Sequence, residues 1–127
     1  MHDVQPLDVR PLVEAVDSLA DRFRSLPQSK LLGAVPGHAS RAAAALDLAR
    51  RLAGLARAAE GGPERQFPDA GAFAAGDQLA VAGHDLAAAL AALPEGAEVA
   101  LPDGPAAVAE VLAGAVAEVR ETAVLCA

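Results

Sequence analysis

Tryptophan and tyrosine are missing from this chain, and phenylalanine occurs only as Phe23, Phe67 and Phe73. Stacking platforms for nucleobases or sugars need several flat side chains on one surface, so single-strand nucleic-acid and carbohydrate binding are disfavoured from the start. Cysteine is almost missing as well. Cys126 stands alone, so no internal disulfide can form, and nothing points to an oxidising compartment. Positive charge is short: 10 Lys/Arg against 17 Asp/Glu leave a net charge of −7, a field that repels phosphate backbones. The shortage is local. Residues 66–127 hold Arg120 alone against nine acids, whereas residues 1–65 hold nine basic residues against eight acidic ones. Such asymmetry either pairs the two halves of a fold or steers a basic partner. Long apolar runs are lacking too. The start carries Asp3 and Asp8, and uncharged stretches such as Leu86–Pro94 are far shorter than a bilayer span. A secretion signal and a membrane helix are therefore not expected, and the expected location is cytoplasmic.

What the chain does have is alanine, which dominates its 54% hydrophobic content. Alanine is the best helix former but buries little area, so leucine and valine must supply most of the hydrophobic driving force. At 127 residues the chain has the size of one domain with one core, and residues 1–127 are expected to form it.

Apolar positions at intervals of three and four predict four long helices. The first spans about 8–26, with Asp8 as N-cap, Pro11 in the first turn, and Leu12, Val16, Leu19 and Phe23 on one face. The second spans about 40–60, capped by Ser40, with Ala42, Ala45, Leu46, Ala49, Leu52 and Ala56 inward. A short helical turn is expected at 29–34 between them. The third spans about 72–93 and buries Leu79, Ala82, Gly83, Leu86 and Leu90, leaving Asp77, Val81 and His84 outside. The fourth spans about 104–125, with Asp103 as N-cap, Pro105 in its first turn, and Val108, Val111, Leu112, Ala115 and Val119 buried. Glu98–Leu101 reads as briefly extended but without a partner strand. The linker from Gly61 to Gly71 is the natural place for a mobile loop, with Phe67 as its one anchor. The expectation is an all-α fold: an alanine-rich, antiparallel, up-down-up-down four-helix bundle.

Chemistry is sparse. No Glu-x-x-His motif exists for a di-iron bundle, and His2, His38 and His84 lack neighbours at zinc-ligand spacing, so neither a metal nor a cofactor is expected. No phosphate-binding loop or nucleophile elbow occurs. Asp77, His84 and Asp85 share one helical stripe, but an exposed stripe offers no pocket to fix a substrate. Two spots remain as candidates. Lys30, His38, Ser40 and Arg41 surround a helix N-terminus, where free N–H groups and the dipole attract an anion. His84 is the other candidate, as a phosphoacceptor.

The run His84, Asp85, Leu86, Ala87, Ala88 resembles the His-x-Leu-Lys-Gly core of histidine phosphotransfer domains. Those are four-helix bundles of about this length with an exposed phosphoacceptor histidine. The resemblance covers His84 and Leu86, and Ala87 and Ala88 replace the lysine and glycine. It implies a phosphotransfer module as the alternative function. The leading expectation is a non-catalytic domain that works through contact with a protein partner or a second copy of itself. It rests on apolar residues outside the main stripes: Leu48 and Leu55 one heptad apart, Val81 and Val124. A homodimer is the simplest such assembly, and neither nucleic acid nor membrane is an expected partner.

Overall fold

The computed structural model describes residues 7–63 and 66–127, and His2 and Asp3 lie outside them. The described residues form five helices and one β-hairpin, in the order α1 (Arg10–Ser25), α2 (Gln28–Leu31), α3 (Arg41–Glu60), α4 (Ala75–Ala91), β1 (Glu98–Leu101), β2 (Gly104–Ala107) and α5 (Val108–Leu125). A 3-10 turn at Ala72–Ala74 leads into α4.

Local chemistry sets most of these boundaries. Pro11 sits at the start of α1, where its missing N–H costs nothing. The cap position is Val9 rather than Asp8. Asp8 instead accepts the Arg10 amide at 3.1 Å and pairs with the Arg10 guanidinium at 2.9 Å, which holds its carboxyl below the usual carboxylate range. Helix α1 stops because Leu26, before Pro27, is extended (φ −68, ψ 135). Ser40 caps α3 as expected, its hydroxyl accepting the Ala43 amide at 2.9 Å. At the other end Gly61 adopts the left-handed conformation (φ 70), and Gly62 donates to the Arg57 carbonyl, a Schellman ending that glycine permits.

The all-α expectation is wrong for residues 98–107. Instead of starting a helix, Asp103 lies in the turn of a hairpin, and Pro105 lies in β2 opposite Ala100. The register pairs Glu98 with Ala107 and Leu101 with Gly104, leaving Pro102 and Asp103 as the connection. Gly104 has φ +121, a region closed to most residues. Pro-Asp-Gly between two apolar runs is a turn signature, and both strands of a two-stranded sheet are edges, the sheet position in which proline is tolerated. Alternation along β1 turns Val99 into the core, where it is 2% exposed. Helix α5 therefore begins at Val108, whose amide donates to the Ala97 carbonyl at 3.1 Å.

The helix directions also depart from up-down-up-down. Helix α4 runs antiparallel to α1, with Gly76 beside Ala20 and Gly83 beside Val16. It starts at the same end as α3, since Ala72, Ala75 and Gln78 lie around a small depression with Ser40, Ala43 and Leu46. The linker makes this possible by returning along α3: Arg57 Nε donates to the Pro63 carbonyl and Arg50 Nε to the Phe67 carbonyl, both at 3.1 Å. Twenty helical residues rise about 30 Å, and eleven extended residues reach about 36 Å, so the span 61–71 is long enough to retrace the helix. Helix α5 ends where α1 and α2 meet. Its last turn has no basic residue of its own, and arginines from other helices neutralise its exposed carbonyls. Arg22 Nη1 donates to the Ala123 carbonyl at 2.7 Å, and Arg41 donates to the Cys126, Ala127 and Lys30 carbonyls at 3.1, 3.2 and 3.1 Å. The long helices thus run up, down, down, up.

One hydrophobic cluster joins all of these elements, with Leu12, Leu19, Leu48, Leu52, Leu79, Leu86 and Leu90 fully buried. Leu48 is a core residue at 0% exposure and not part of a second surface. Helix α3 has neighbours on two sides, α4 on one and α5 with β1 on the other, so its buried face is wider than a single stripe. Helices α1 and α4 approach closely through glycine. A methyl group built on Gly83 would lie 2.5 Å from Val16 Cγ1, and one on Gly76 would lie 2.8 Å from the Ala20 carbonyl oxygen.

Candidate functional site

Helix α4 packs tightly along α1 and α3, whereas α3 and α5 touch only sparsely because the hairpin is wedged between them. The result is an open groove. Its larger part, about 570 Å³, is lined on α3 by Arg51, Gly54, Leu55 and Ala58, on the hairpin by Ala100, Leu101 and Pro102, and on α5 by Glu118. A second depression of about 330 Å³ shares Leu55, Leu101 and Glu118 with the first and adds Ala106, Glu110, Val111 and Gly114. Together they form one continuous, mainly apolar trough. Volumes of a few hundred Å³ are typical of surfaces that seat a ligand or a partner's side chains.

Two glycines hold the trough open. Gly54 and Gly114 are helix-interior residues of α3 and α5, and a methyl group at either one would meet nothing within 4 Å. Glycine in a helix interior costs about 1 kcal/mol relative to alanine. In a chain that places alanine at so many helix positions, these two have no packing reason to be glycine. Gly54→Ala and Gly114→Ala are each expected to raise the unfolding free energy by roughly 0.5–1 kcal/mol in urea denaturation; a loss of stability from either would show the trough to be filled.

The rims differ electrostatically. On α3, Arg51 is bound to Asp47 at 2.7 Å and lies 3.6 Å from Glu118, while Arg57 is bound to Glu60 at 3.2 Å. Both guanidiniums are neutralised locally. Across the trough, Glu110 on α5 makes no ion pair among the described residues. The α3 rim is therefore neutralised locally, and among the described residues Glu110 is the unpaired acid of the α5 rim.

The Ser40 hydroxyl is taken by the Ala43 amide, and the Arg41 guanidinium is spent on three carbonyls, including that of Lys30. His38 contributes main-chain bonds to Val35 across the Pro36–Gly37 turn. These residues do converge, but as a clasp that ties α2 and the start of α3 to the end of α5. His84 is solvent-facing on α4, as expected, and its Nε2 lies 2.6 Å from Asp17 Oδ1, with the side chains 51% and 49% exposed. Its carboxylate partner comes from α1 and not from its own stripe, because Asp77 is bound to Arg24 at 2.8 Å. Cys126 is buried beneath the end of α5. Burial pushes its thiol pKa up, against the weaker pull of the Arg41 and Arg22 charges, so it is a poor nucleophile. Of the expected surface residues, Val81 and Val124 are exposed at 56% and 78%, and Leu55 is half-buried in the trough wall.

Leu101, Gly54, Gly114 and Glu118 did not stand out in the sequence. The available signal was the pair of helix-interior glycines in an alanine-rich chain. Among the described residues no helix is long and apolar enough to cross a membrane, and no group of three or more His, Cys, Asp or Glu could hold a metal ion. Comparison with protein-family models, curated proteins and solved structures finds no match.

Proposed function

We propose that this chain is a non-catalytic protein-interaction domain whose partner docks a helix in the trough between α3 and α5. The observation that carries this is a continuous apolar trough kept open by Gly54 and Gly114 at a cost in helix propensity. Helix-in-groove recognition needs such a surface: apolar anchors, here Leu55, Leu101 and Val111, and small residues that let two backbones approach.

The test uses amphipathic helices selected from a displayed library against the full chain, with a double variant, Gly54→Leu and Gly114→Leu, that fills the trough from open space. Circular dichroism should show the variant folded, and the selected helices should bind it at least tenfold more weakly. A companion Val81→Ser variant, altered on the far side of α4, should bind normally. Equal binding to the filled variant would overturn the proposal.

Phosphotransfer through His84 is the weaker reading. The imidazole is accessible and oriented by Asp17, but Asp17 sets negative charge at Nε2, where a phosphoryl group would sit, and alanines follow at 87 and 88.

A further inference from the structure

Resting on the docking proposal above, we infer that the helix this trough takes is a basic amphipathic one, with lysine or arginine beside its apolar stripe. The apolar floor alone would accept many helices, and the rims narrow the choice. On the α3 side Arg51 and Arg57 already have carboxylate partners, so an acidic helix would find little unspent positive charge there. On the α5 side Glu118 already lies 3.6 Å from Arg51, but Glu110, two helical turns away beyond Gly114, has no ion-pair partner among the described residues. A helix lying along α5 would set a lysine or arginine over Glu110 while its apolar face covered Leu55, Leu101 and Val111. Gly114, between the two glutamates, presents no side chain to an incoming helix. The wider charge distribution acts in the same direction. Residues 66–127 carry nine acids against Arg120, a field that speeds the approach of a cationic segment.

The probes are two synthetic helices with the same leucine stripe, one flanked by lysines and one by glutamates, followed by fluorescence anisotropy with the full chain. The leucine/lysine helix should bind, and the leucine/glutamate helix should bind at least tenfold more weakly. Glu110→Lys should weaken the leucine/lysine helix about fivefold to tenfold. Glu95→Lys and Glu121→Lys change the net charge equally, but neither residue lines the trough, and each should change binding less than twofold. If Glu95→Lys weakens binding as much as Glu110→Lys does, the attraction is a general field and the inference fails. If the leucine/glutamate helix binds equally well at the trough, the basic partner is wrong while the docking groove survives. If filling the trough through Gly54 and Gly114 leaves the leucine/lysine helix unaffected, both fall. A doubled solution mass lost on filling the trough would identify the occupant as a second copy and also overturn the inference.

Discussion

Leu48→Ala will lower the unfolding free energy by about 2–5 kcal/mol, because it removes a branched side chain that is 0% exposed and leaves a cavity between α3 and its neighbours. In a domain of this size that corresponds to a fall in Tm of roughly 6–25 °C. The effect should be independent of protein concentration and leave the solution mass unchanged. On a helical wheel Leu48 and Leu55 read as a strip for another subunit, and in that role Leu48→Ala would shift an association equilibrium while barely altering the monomer's stability. Denaturation at two concentrations a hundredfold apart separates the two cases.

Gly83→Ala carries the second large effect, opposite in sign to the same substitution at Gly54 or Gly114. The added methyl falls 2.5 Å from Val16 Cγ1 and 2.6 Å from Cγ2. Val16 is fully buried on α1 and, being β-branched, has no alternative rotamer at low cost. Helices α1 and α4 must separate, at about 1–3 kcal/mol of overpacking, and this outweighs the gain of up to about 1 kcal/mol in helix propensity. A net destabilisation is expected, and Val16→Ala should relieve it, so that the double variant is more stable than additivity of the two single changes allows. A stabilising Gly83→Ala would contradict the close α1/α4 approach.

These contrasts show which parts of the fold were legible in the chain. Helices α1, α3 and α4, and α5 beyond its first turns, were readable because a 3.6-residue period is local: Leu12, Val16, Leu19 and Phe23 identify a buried face without reference to anything else. The hairpin was not readable from periodicity, since Glu98–Leu101 is too short to show alternation clearly and its partner Gly104–Ala107 carries glycine, proline and two alanines, all poor strand formers. Its only local sign was Pro102-Asp103-Gly104. Helix direction was hidden in the linker, whose length allows either a short turn or a return along α3; the bonds from Arg57 and Arg50 to its carbonyls select the return. Leu48 was misplaced because the width of a buried face depends on how many neighbours a helix has.

The candidate site was legible only in part. Leu55 was marked as apolar outside the main stripe, and it does border the trough. Leu101 and Glu118 join it through tertiary contact with a hairpin that the helical pattern did not include. The Asp17–His84 pair spans 67 residues and has no sequence signature, and Arg41, read as an anion ligand, satisfies helix carbonyls that only the folded chain brings near it.

Amide chemical-shift mapping of the isotopically labelled chain during titration with the leucine/lysine helix tests the docking site most directly. The largest perturbations should fall on Gly54, Leu55, Leu101 and Gly114, with the outer face of α4 from Val81 to Ala88 unchanged. Perturbations centred on that outer face, or none at all with the probe in large excess, would contradict the assignment of the trough as the docking surface.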